Sequence, residues 1–314
     1  MNIEQLEERQ TKAFGQVGLE GPVAPSGAAI RIHGVDLSPP LRRDQAACLL
    51  DALAWFRIVS LPGQDLNERS LPDLERFANH FGAPVPHPSN SLRAGKPGQQ
   101  DGATDGHWIS LPDDDVAKTR YYEGSSEELM RKRIAMPVDG ETAFVDTVAA
   151  WEALPESEQK RLKKMRVRRR LNTGDRGWLA PIVRTHPRSG LTGLHSPIWA
   201  SRPRVRPPVV VEGMTEAASQ SVLDEVEAHV LSPEFRYDHF HTPGDVTIWD
   251  NTLTLHNSPP MKTRIRSVDD ARLLYRISCK GPDREKLPRE DDPEWLTEHV
   301  SVGYSTPDEI LSVR

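Results

Sequence analysis

The sequence predicts a mainly β fold with flanking helices, whose core is a double-stranded β-helix, or jelly roll. Many short segments have the alternation or the β-branched and aromatic content of strands, and the few helical patterns fall between them. The 314 residues also include 27 prolines and 21 glycines. This composition suits a loop-rich β protein better than a helical bundle, and a double-sheet jelly roll can enclose a ligand within its buried inner face.

The predicted elements follow one another along the chain. Strand patterns cover residues 29–35, 56–61, 119–122, 130–136, 182–198, 237–255 and 271–280. Residues 182–198 form a predicted hairpin that turns at Arg188-Ser189-Gly190. Helical periodicity covers residues 41–55, 74–81, 148–165 and 215–231, with Pro155 interrupting the third of these. Residues 83–115 are rich in Pro, Gly, Ser and Asp, and a loop of this length is usually functional or mobile.

No shift in composition divides the chain, so we expect one jelly-roll domain over residues 27–281. Residues 1–26 are predicted to be a polar arm or edge element, and residues 282–314 a charged tail. Cys48 and Cys279 are too few for a disulfide framework, and Cys48 is predicted to be a core residue because it lies in the apolar pattern of a helix.

Charge and hydropathy exclude several kinds of partner. A net charge of −6 argues against a nucleic-acid-binding surface. No apolar run approaches the roughly 18 residues that would span a membrane, and the charged N-terminus does not resemble a secretory signal. We therefore expect a cytoplasmic protein that acts on small molecules. A homo-oligomer is compatible with the sequence.

The segment from Pro243 to Arg276 carries the strongest functional signal. Pro243-Gly244 predicts a tight turn, followed by a strand that carries His256 and a returning strand that carries Arg272 and Arg276. An imidazole is a good ligand for iron, and a guanidinium group can hold a carboxylate through two parallel hydrogen bonds. One metal ligand and one anion clamp on adjacent strands could hold a metal-chelating keto acid.

Two motifs in this segment, Gly244-Asp-Val-Thr-Ile-Trp-Asp-Asn251 with His256 and Ala271-Arg-Leu-Leu-Tyr-Arg276, resemble the taurine and 2,4-dichlorophenoxyacetate dioxygenase family. Further similar stretches are Gly34-Val-Asp-Leu-Ser38, residues 56–82, residues 138–146 with Trp151-Glu-Ala-Leu154, and Val183-Arg-Thr-His-Pro187. The resemblance therefore extends over residues 27–280. It implies a cupin-like jelly roll that uses Fe(II), with 2-oxoglutarate as co-substrate and O2 as oxidant.

The resemblance also implies roles for individual residues. His256 matches the distal iron ligand, and Thr142 and Arg272 match the groups that hold the distal carboxylate of 2-oxoglutarate. Arg276 shares a strand face with Arg272, and the matching arginine faces the near carboxylate or an acidic group of the substrate. His87 falls where taurine-type enzymes place a substrate-contacting histidine, although two flanking prolines are equally consistent with a structural loop residue.

The sequence departs from the family at the first two metal ligands, because it contains no His-x-Asp motif. Asp105 and His107 could complete the site, since residues i and i+2 of an extended backbone share one face, and Asp113–Asp115 offer further carboxylates. Alternatively, the chain has lost iron chemistry or uses a reduced ligand set, as halogenating relatives do. A third explanation is that residues are missing from the sequence at two connections that are short for the family, one between His87 and Gly140 and one between Arg170 and Val183.

The predicted function is Fe(II)- and 2-oxoglutarate-dependent oxidation of a small, anionic substrate, with release of succinate and CO2. Hydroxylation is the default outcome. The alternatives are a halogenase-like variant and a non-catalytic member of the fold that binds an anion or another small ligand. The substrate itself cannot be named from the fold, because one fold hosts many functions.

Overall fold

The computed structural model describes residues 1–65, 71–82, 84–85, 107–111, 118–121, 141–169, 178–194, 210–257, 272–275 and 277–279. The helices of these residues are α1 (Ile3–Phe14), α2 (Arg43–Phe56), α3 (Leu71–Ala78), α4 (Thr147–Glu152), α5 (Glu156–Leu162) and α6 (Glu216–Val230). Their strands are β1 (Gly18–Glu20), β2 (Ile30–His33), β3 (Ile58–Leu61), β4 (Pro84–Val85), β5 (His107–Leu111), β6 (Lys118–Tyr121), β7 (Thr142–Asp146), β8 (Arg166–Arg169), β9 (Trp178–Pro181), β10 (Val183–Thr185), β11 (Thr192–Leu194), β12 (Val210–Val211), β13 (Arg236–His239), β14 (Val246–Trp249), β15 (Thr254–Asn257), β16 (Arg272–Tyr275) and β17 (Ser278–Cys279).

The first of two sheets that carry the site has the strand order β1-β2-β3-β14. Strand β2 runs parallel to β3, and the other pairs are antiparallel. Every residue of β3 is buried, so both faces of this strand are covered. Val59 and Leu61 pack into a core with residues of α1 and α2, whereas Ile58 packs on the opposite face with Phe144. The helices α1 and α2 thus form a layer on the outer side of this sheet.

The second sheet has the strand order β13-β7-β15, with β7 antiparallel to both neighbours. Alternate residues of β7 point to opposite faces. Val145 packs into a core with residues of α4, α5 and α6, while Phe144 packs toward the first sheet. The rings of Phe144 and Trp249 lie 5.5 Å apart between centroids, so the inner faces of the two sheets are in contact. The described fold is therefore rich in sheets with helices outside them, as the sequence predicts.

The remaining described strands form four small sheets. These are β12-β8-β9, β10-β11, β16-β5-β6 and β17-β4. Among the described residues, no helix is long and apolar enough to cross a membrane. Cys48 is buried in the core beside α1, as predicted, and burial raises the pKa of its thiol to about 11.

A short turn carries the chain from the first sheet to the second, because β14 pairs with β3 and β15 pairs with β7. The Asp250 amide donates to the carbonyl of Arg57, and the Asp250 carboxylate accepts from the Thr252 amide at 2.7 Å. The Asn251 side chain accepts a hydrogen bond from the Trp249 indole. Asp250 and Asn251 therefore fix this turn.

The preceding turn at Pro243-Gly244 depends on glycine. Gly244 has a φ of 91°, in the left-handed region that favours glycine, and its carbonyl accepts from the Gln64 amide at 2.8 Å. A Cβ at this position would lie 2.6 Å from the Gln64 carbonyl oxygen. The turn can therefore approach the end of β3 closely only because residue 244 has no side chain.

A buried ion pair joins the two sheets. Arg57, at the start of β3, donates to the Asp146 carboxylate at 2.7 Å, and the two side chains are 8% and 3% exposed. The other oxygen of Asp146 accepts from the amides of Val148 and Ala149 and so caps α4. One carboxylate therefore fixes both the sheet contact and the start of a helix.

We expect Asp146→Ala to lower the free energy of unfolding by about 3–5 kcal/mol, because it leaves the Arg57 charge buried and unpaired and also removes the cap. Urea unfolding followed by circular dichroism measures this change. Asp146→Asn keeps a side-chain oxygen for the cap and should recover about 1 kcal/mol. Lys160→Ala, which breaks the exposed ion pair with Glu156, is the control and should be nearly neutral. A nearly neutral Asp146→Ala variant would show that the buried pair contributes little.

Three features differ from the sequence-based expectations. The segment expected to be a polar arm or an edge element contains β1, which does form an edge of the first sheet, but also α1, a helix that was not expected and that buries Leu6 and Ala13 against α2. Residues 107–111, within the expected loop, form β5. Among the described residues, β16, which carries Arg272, pairs with β5 and not with β15, which carries His256, so the two are not on adjacent strands.

Candidate active site

The candidate site lies on the inner face of the second sheet. The strand register places His256 opposite Phe144 and places His239 opposite Thr142. Cross-strand partners share a face of the sheet, and residues two apart on a strand also share it. These four side chains therefore belong to one face, and the contacts of Phe144 and His256 with Trp249 identify it as the face toward the first sheet.

The imidazole of His256 is half-buried between two aromatic side chains. Its ring centroid lies 5.0 Å from that of Trp249 and 6.2 Å from that of Phe144. The indole of Trp249 thus packs directly beside the histidine ring. A strand position and two neighbouring rings restrict the orientations of the imidazole, and this restriction suits a residue that holds a metal ion.

A complete metal site requires residues outside the described ranges. Within those ranges, no three His, Cys, Asp or Glu side chains lie close enough together to hold a metal ion. His256 fits one ligand position for iron, for which a histidine nitrogen is a suitable donor.

Thr142 is 5% exposed and begins β7. Its Oγ1 lies 2.8 Å from Nε2 of His241. A threonine hydroxyl has one hydrogen to donate and two lone pairs that accept. The group can therefore accept from an imidazole and donate to a carboxylate at the same time, which fits a co-substrate that presents a carboxylate.

Two histidines near this face, His239 and His241, were not predicted from the sequence. His239 is 1% exposed, and its Nδ1 and Nε2 each lie 3.1 Å from a hydroxyl oxygen, that of Tyr237 and that of Thr247, respectively. The ring of His241 meets the ring of His239 edge-on, with centroids 4.6 Å apart and planes at 84°. The spacing of Tyr237, His239 and His241 at every second residue is the signal that could have placed them on one strand face.

The phenol of Tyr237 remains protonated in this setting. Burial raises the pKa of Tyr237, and Arg31, which hydrogen-bonds to the phenol, works in the opposite direction. A protonated phenol can donate to Nδ1 of His239 or accept from it. Hydroxyl groups therefore flank both nitrogens of the buried imidazole, and neither nitrogen needs a charged partner.

Of the predicted site residues, the structure brings together Thr142 and His256, which line the same sheet face. The other predictions that depend on side-chain position are not tested by the described residues. Those that lie outside the described ranges are His87, Asp105, Asp113–Asp115 and Arg276, together with most of the connection between Arg170 and Val183.

For Arg272 and His107, the backbone pairing alone is described. Arg272 lies opposite Ser110, and His107 lies opposite Tyr275. Positions 107 and 272 therefore have opposite parity in the β5–β16 ladder, so they belong to its two different faces.

Solved structures show the class of fold to which this arrangement belongs. A taurine dioxygenase from Burkholderia xenovorans has a TM-score of 0.59 and 22% sequence identity, over 85% of this chain and 90% of that chain. The structure of AAD-2 in complex with Mn(II) and N-oxalylglycine has a TM-score of 0.57 and 19% identity, over 85% of this chain and 98% of that chain. The chain therefore shares its overall fold with these two solved structures.

Sequence comparisons agree with the fold. The model of the family described as taurine catabolism dioxygenase TauD, TfdA family matches residues 21–277. Pentalenolactone F synthase from Streptomyces arenae is 26% identical over 271 residues, which are 75% of this chain and 87% of the relative. An alpha-ketoglutarate-dependent sulfate ester dioxygenase from Pseudomonas putida is 28% identical over 285 residues, which are 81% of this chain and 86% of the relative.

Since the match covers most of its length, the chain belongs to the TauD, TfdA family. It is a 2-oxoglutarate-dependent dioxygenase, and Fe(II) is the metal that the family implies. Membership of this family, which the motifs around His256 predicted, is confirmed.

Proposed function

We propose that this dioxygenase oxidises a small, anionic substrate, by hydroxylation as the default outcome. When bound, Fe(II), 2-oxoglutarate and O2 supply the oxidation, and 2-oxoglutarate leaves as succinate and CO2. The observation that carries the proposal is the shared inner face of His256 and Thr142, in a chain of this family. In this proposal, His256 supplies a metal ligand and Thr142 a hydroxyl for the co-substrate carboxylate, and their common face supports the assignment.

Each residue has a distinct role in this proposal. His256 holds the metal, and Thr142 and Arg272 hold the distal carboxylate of 2-oxoglutarate. The residues proposed to contact the substrate are His87 and Arg276, and Arg276 could also reach the near carboxylate. Asp105 and His107 are the candidates for the remaining metal ligands. Because positions 107 and 272 have opposite parity, either His107 or Arg272 requires a different backbone register to face the same cavity.

Relatives support a negatively charged substrate. One is named for sulfate esters, and a 32% identical relative from Cupriavidus pinatubonensis, matched over 39% of this chain and 46% of its own length, is named for 2,4-dichlorophenoxyacetate. Both names describe compounds that carry an anionic group. An arginine at position 276 would offer such a group a charge-assisted pair of hydrogen bonds.

We infer that the two facing sheets close into a jelly roll. The contact between Phe144 and Trp249 and the crossing from β14 to β15 support this closure, because a jelly roll requires chain crossings between two packed sheets. The single domain over residues 27–281 and the tail over residues 282–314 are part of the same inference. Co-substrate and substrate would then bind between the sheets.

Succinate release tests the function. The purified protein is incubated with Fe(II), 2-oxoglutarate and O2, without substrate and then with 2,4-dichlorophenoxyacetate, taurine or an alkyl sulfate ester. We expect one of these anions to raise succinate release severalfold and to give an oxidised product of equal amount by mass spectrometry. Binding of 2-oxoglutarate without succinate release under any condition would favour the ligand-binding alternative. With chloride added to the same reaction, a product in which chlorine has replaced a hydrogen atom of the substrate would identify a halogenase-like variant.

A further inference from the structure

The contact between Thr142 and His241 limits what the threonine can offer to a ligand. The oxygen Oγ1 of Thr142 and the nitrogen Nε2 of His241 are 2.8 Å apart, which is a normal hydrogen-bond distance. If Nε2 carries no hydrogen, the hydroxyl donates to it, and only lone pairs face a ligand. If Nε2 carries the hydrogen, it donates to Oγ1, and the hydroxyl hydrogen is available for another acceptor.

A carboxylate distinguishes between these two states. An ionised carboxylate has only acceptor atoms, so it needs the hydroxyl hydrogen of Thr142 and is repelled by its lone pairs. Thr142 can therefore hold a carboxylate only when His241 is the donor of the shared hydrogen bond. The histidine thus determines whether the threonine is suited to an anionic ligand.

A contact with the ring of His239 restricts the position of the His241 ring. His239, which is 1% exposed, meets it edge-on at 4.6 Å between centroids. His239 is itself positioned by the hydroxyls of Tyr237 and Thr247, each 3.1 Å from one of its nitrogens. Since β13 lies beside β7, with His239 opposite Thr142, the chain that continues from β13 to His241 passes close to the start of β7.

We propose that His241 is a positioning residue for 2-oxoglutarate: it donates from Nε2 to Oγ1 of Thr142 and so aims the threonine hydroxyl at the distal carboxylate of the co-substrate. The inference rests on the proposed role of Thr142 in holding that carboxylate. It assigns to His241 a function that acts through Thr142 and requires no contact with the co-substrate.

Binding of an inert co-substrate analogue provides the test. Calorimetric titration of the Mn(II)-loaded protein with N-oxalylglycine gives the Kd without turnover, and steady-state assays give KM for 2-oxoglutarate and kcat. His241→Phe keeps a ring against His239 but has no hydrogen to donate. We expect it to raise the Kd and the KM about tenfold, with little change in kcat, because without the His241 donor Thr142 no longer directs its hydroxyl hydrogen to the carboxylate and that hydrogen bond to a charged group is lost.

Two further variants identify the donor. In His241→Gln, an amide N–H replaces Nε2 at a similar reach and should restore most of the affinity, whereas the shorter His241→Asn should not. If His241→Phe does not fold, the contrast between Gln and Asn decides the question. His229→Phe is the matched control, because it also removes an imidazole hydrogen bond of 2.7 Å, to the Ala150 carbonyl, but in the helical layer outside the second sheet. Its Kd should equal that of the wild type.

A double-mutant cycle separates the possible failures. In the Thr142→Val background, His241→Phe should have no further effect on the Kd, because the two residues act as one unit. If the two substitutions raise the Kd independently, so that their fold-changes multiply in the double variant, the inference is overturned. It is also overturned if His241→Phe leaves the Kd unchanged while Thr142→Val weakens binding. In those two cases the role of Thr142 stands. An unchanged Kd in Thr142→Val would overturn the proposed role of Thr142 together with the inference.

Discussion

Replacing His256 with alanine is expected to abolish the dioxygenase reaction. Loss of a residue that only supports a metal ligand typically lowers metal affinity or activity by about 10- to 100-fold, so loss of the ligand itself should lower succinate release by at least about 100-fold. Calorimetric titration with Mn(II), together with chromatographic measurement of succinate under Fe(II), checks both parts of this expectation.

The His256→Ala variant distinguishes two possible roles of His256, that of a metal ligand and that of a core residue that only packs. His256 lies between Trp249 and Phe144, and a histidine that serves only packing would lose thermal stability when truncated but would keep its metal affinity. His229→Ala, on α6 in the outer layer, serves as the histidine control and should retain succinate release. A folded His256→Ala protein with normal metal affinity would remove His256 from the site.

Replacing Arg272 with alanine should raise KM for 2-oxoglutarate sharply. Truncating one partner of a buried, hydrogen-bonded charge pair typically costs about 2–5 kcal/mol, and the lower value corresponds to roughly a thirtyfold change. The change in kcat at saturating 2-oxoglutarate should be smaller, because the arginine is proposed to act in binding. Steady-state kinetics with 2-oxoglutarate as the varied component measure the two constants separately.

Arg236→Ala provides the matched arginine control. Arg236 lies on β13 and pairs with Asp238 on the exposed side of the strand, at 2.7 Å. Its loss should leave KM for 2-oxoglutarate near the wild-type value. An unchanged KM in a folded Arg272→Ala variant would mean that Arg272 does not bind the co-substrate.

Local patterns predicted the elements whose stability is largely local. The helix expected over residues 41–55 is α2 (Arg43–Phe56), and the hairpin expected over residues 182–198 is β10 with β11, turned at Arg188-Ser189-Gly190. In both cases the apolar period and the turn residues lie within the element itself. The register between distant strands could not be derived in this way, because it depends on partners far along the chain.

Two elements were missed for identifiable physical reasons. Helix α1 is polar overall, but Leu6, Gln10 and Ala13 form a narrow buried stripe, and this stripe is stabilised by α2 and not by the helix alone. Strand β5 lies between a glycine-rich stretch and Pro112, and it is paired with β16 from the end of the fold. Tertiary contacts outweigh local composition in both segments.

The candidate site was predictable where a motif carries it. His256 and Thr142 were identified through motifs, and the strand register brings them to one face. His239 and His241 were not identified, because neither belongs to a motif noted in the sequence. Their importance is visible only in the distances to Tyr237, Thr247 and Thr142, which depend on how β13 lies beside β7 and β14.

The crossing of the chain between the two sheets has a consequence for folding. The strands β13, β14 and β15 pair alternately with β7 and β3, so one late segment of the chain completes both sheets. Partners such as Arg57 and Asp146, or Thr142 and His241, lie 89 and 99 residues apart, and pairing of this kind makes folding slow. The segment that completes the described strands of one sheet is thus also the segment that completes the other. The two sheets should therefore melt in a single cooperative transition, and a nascent chain should acquire affinity for the co-substrate only after this segment has been synthesised.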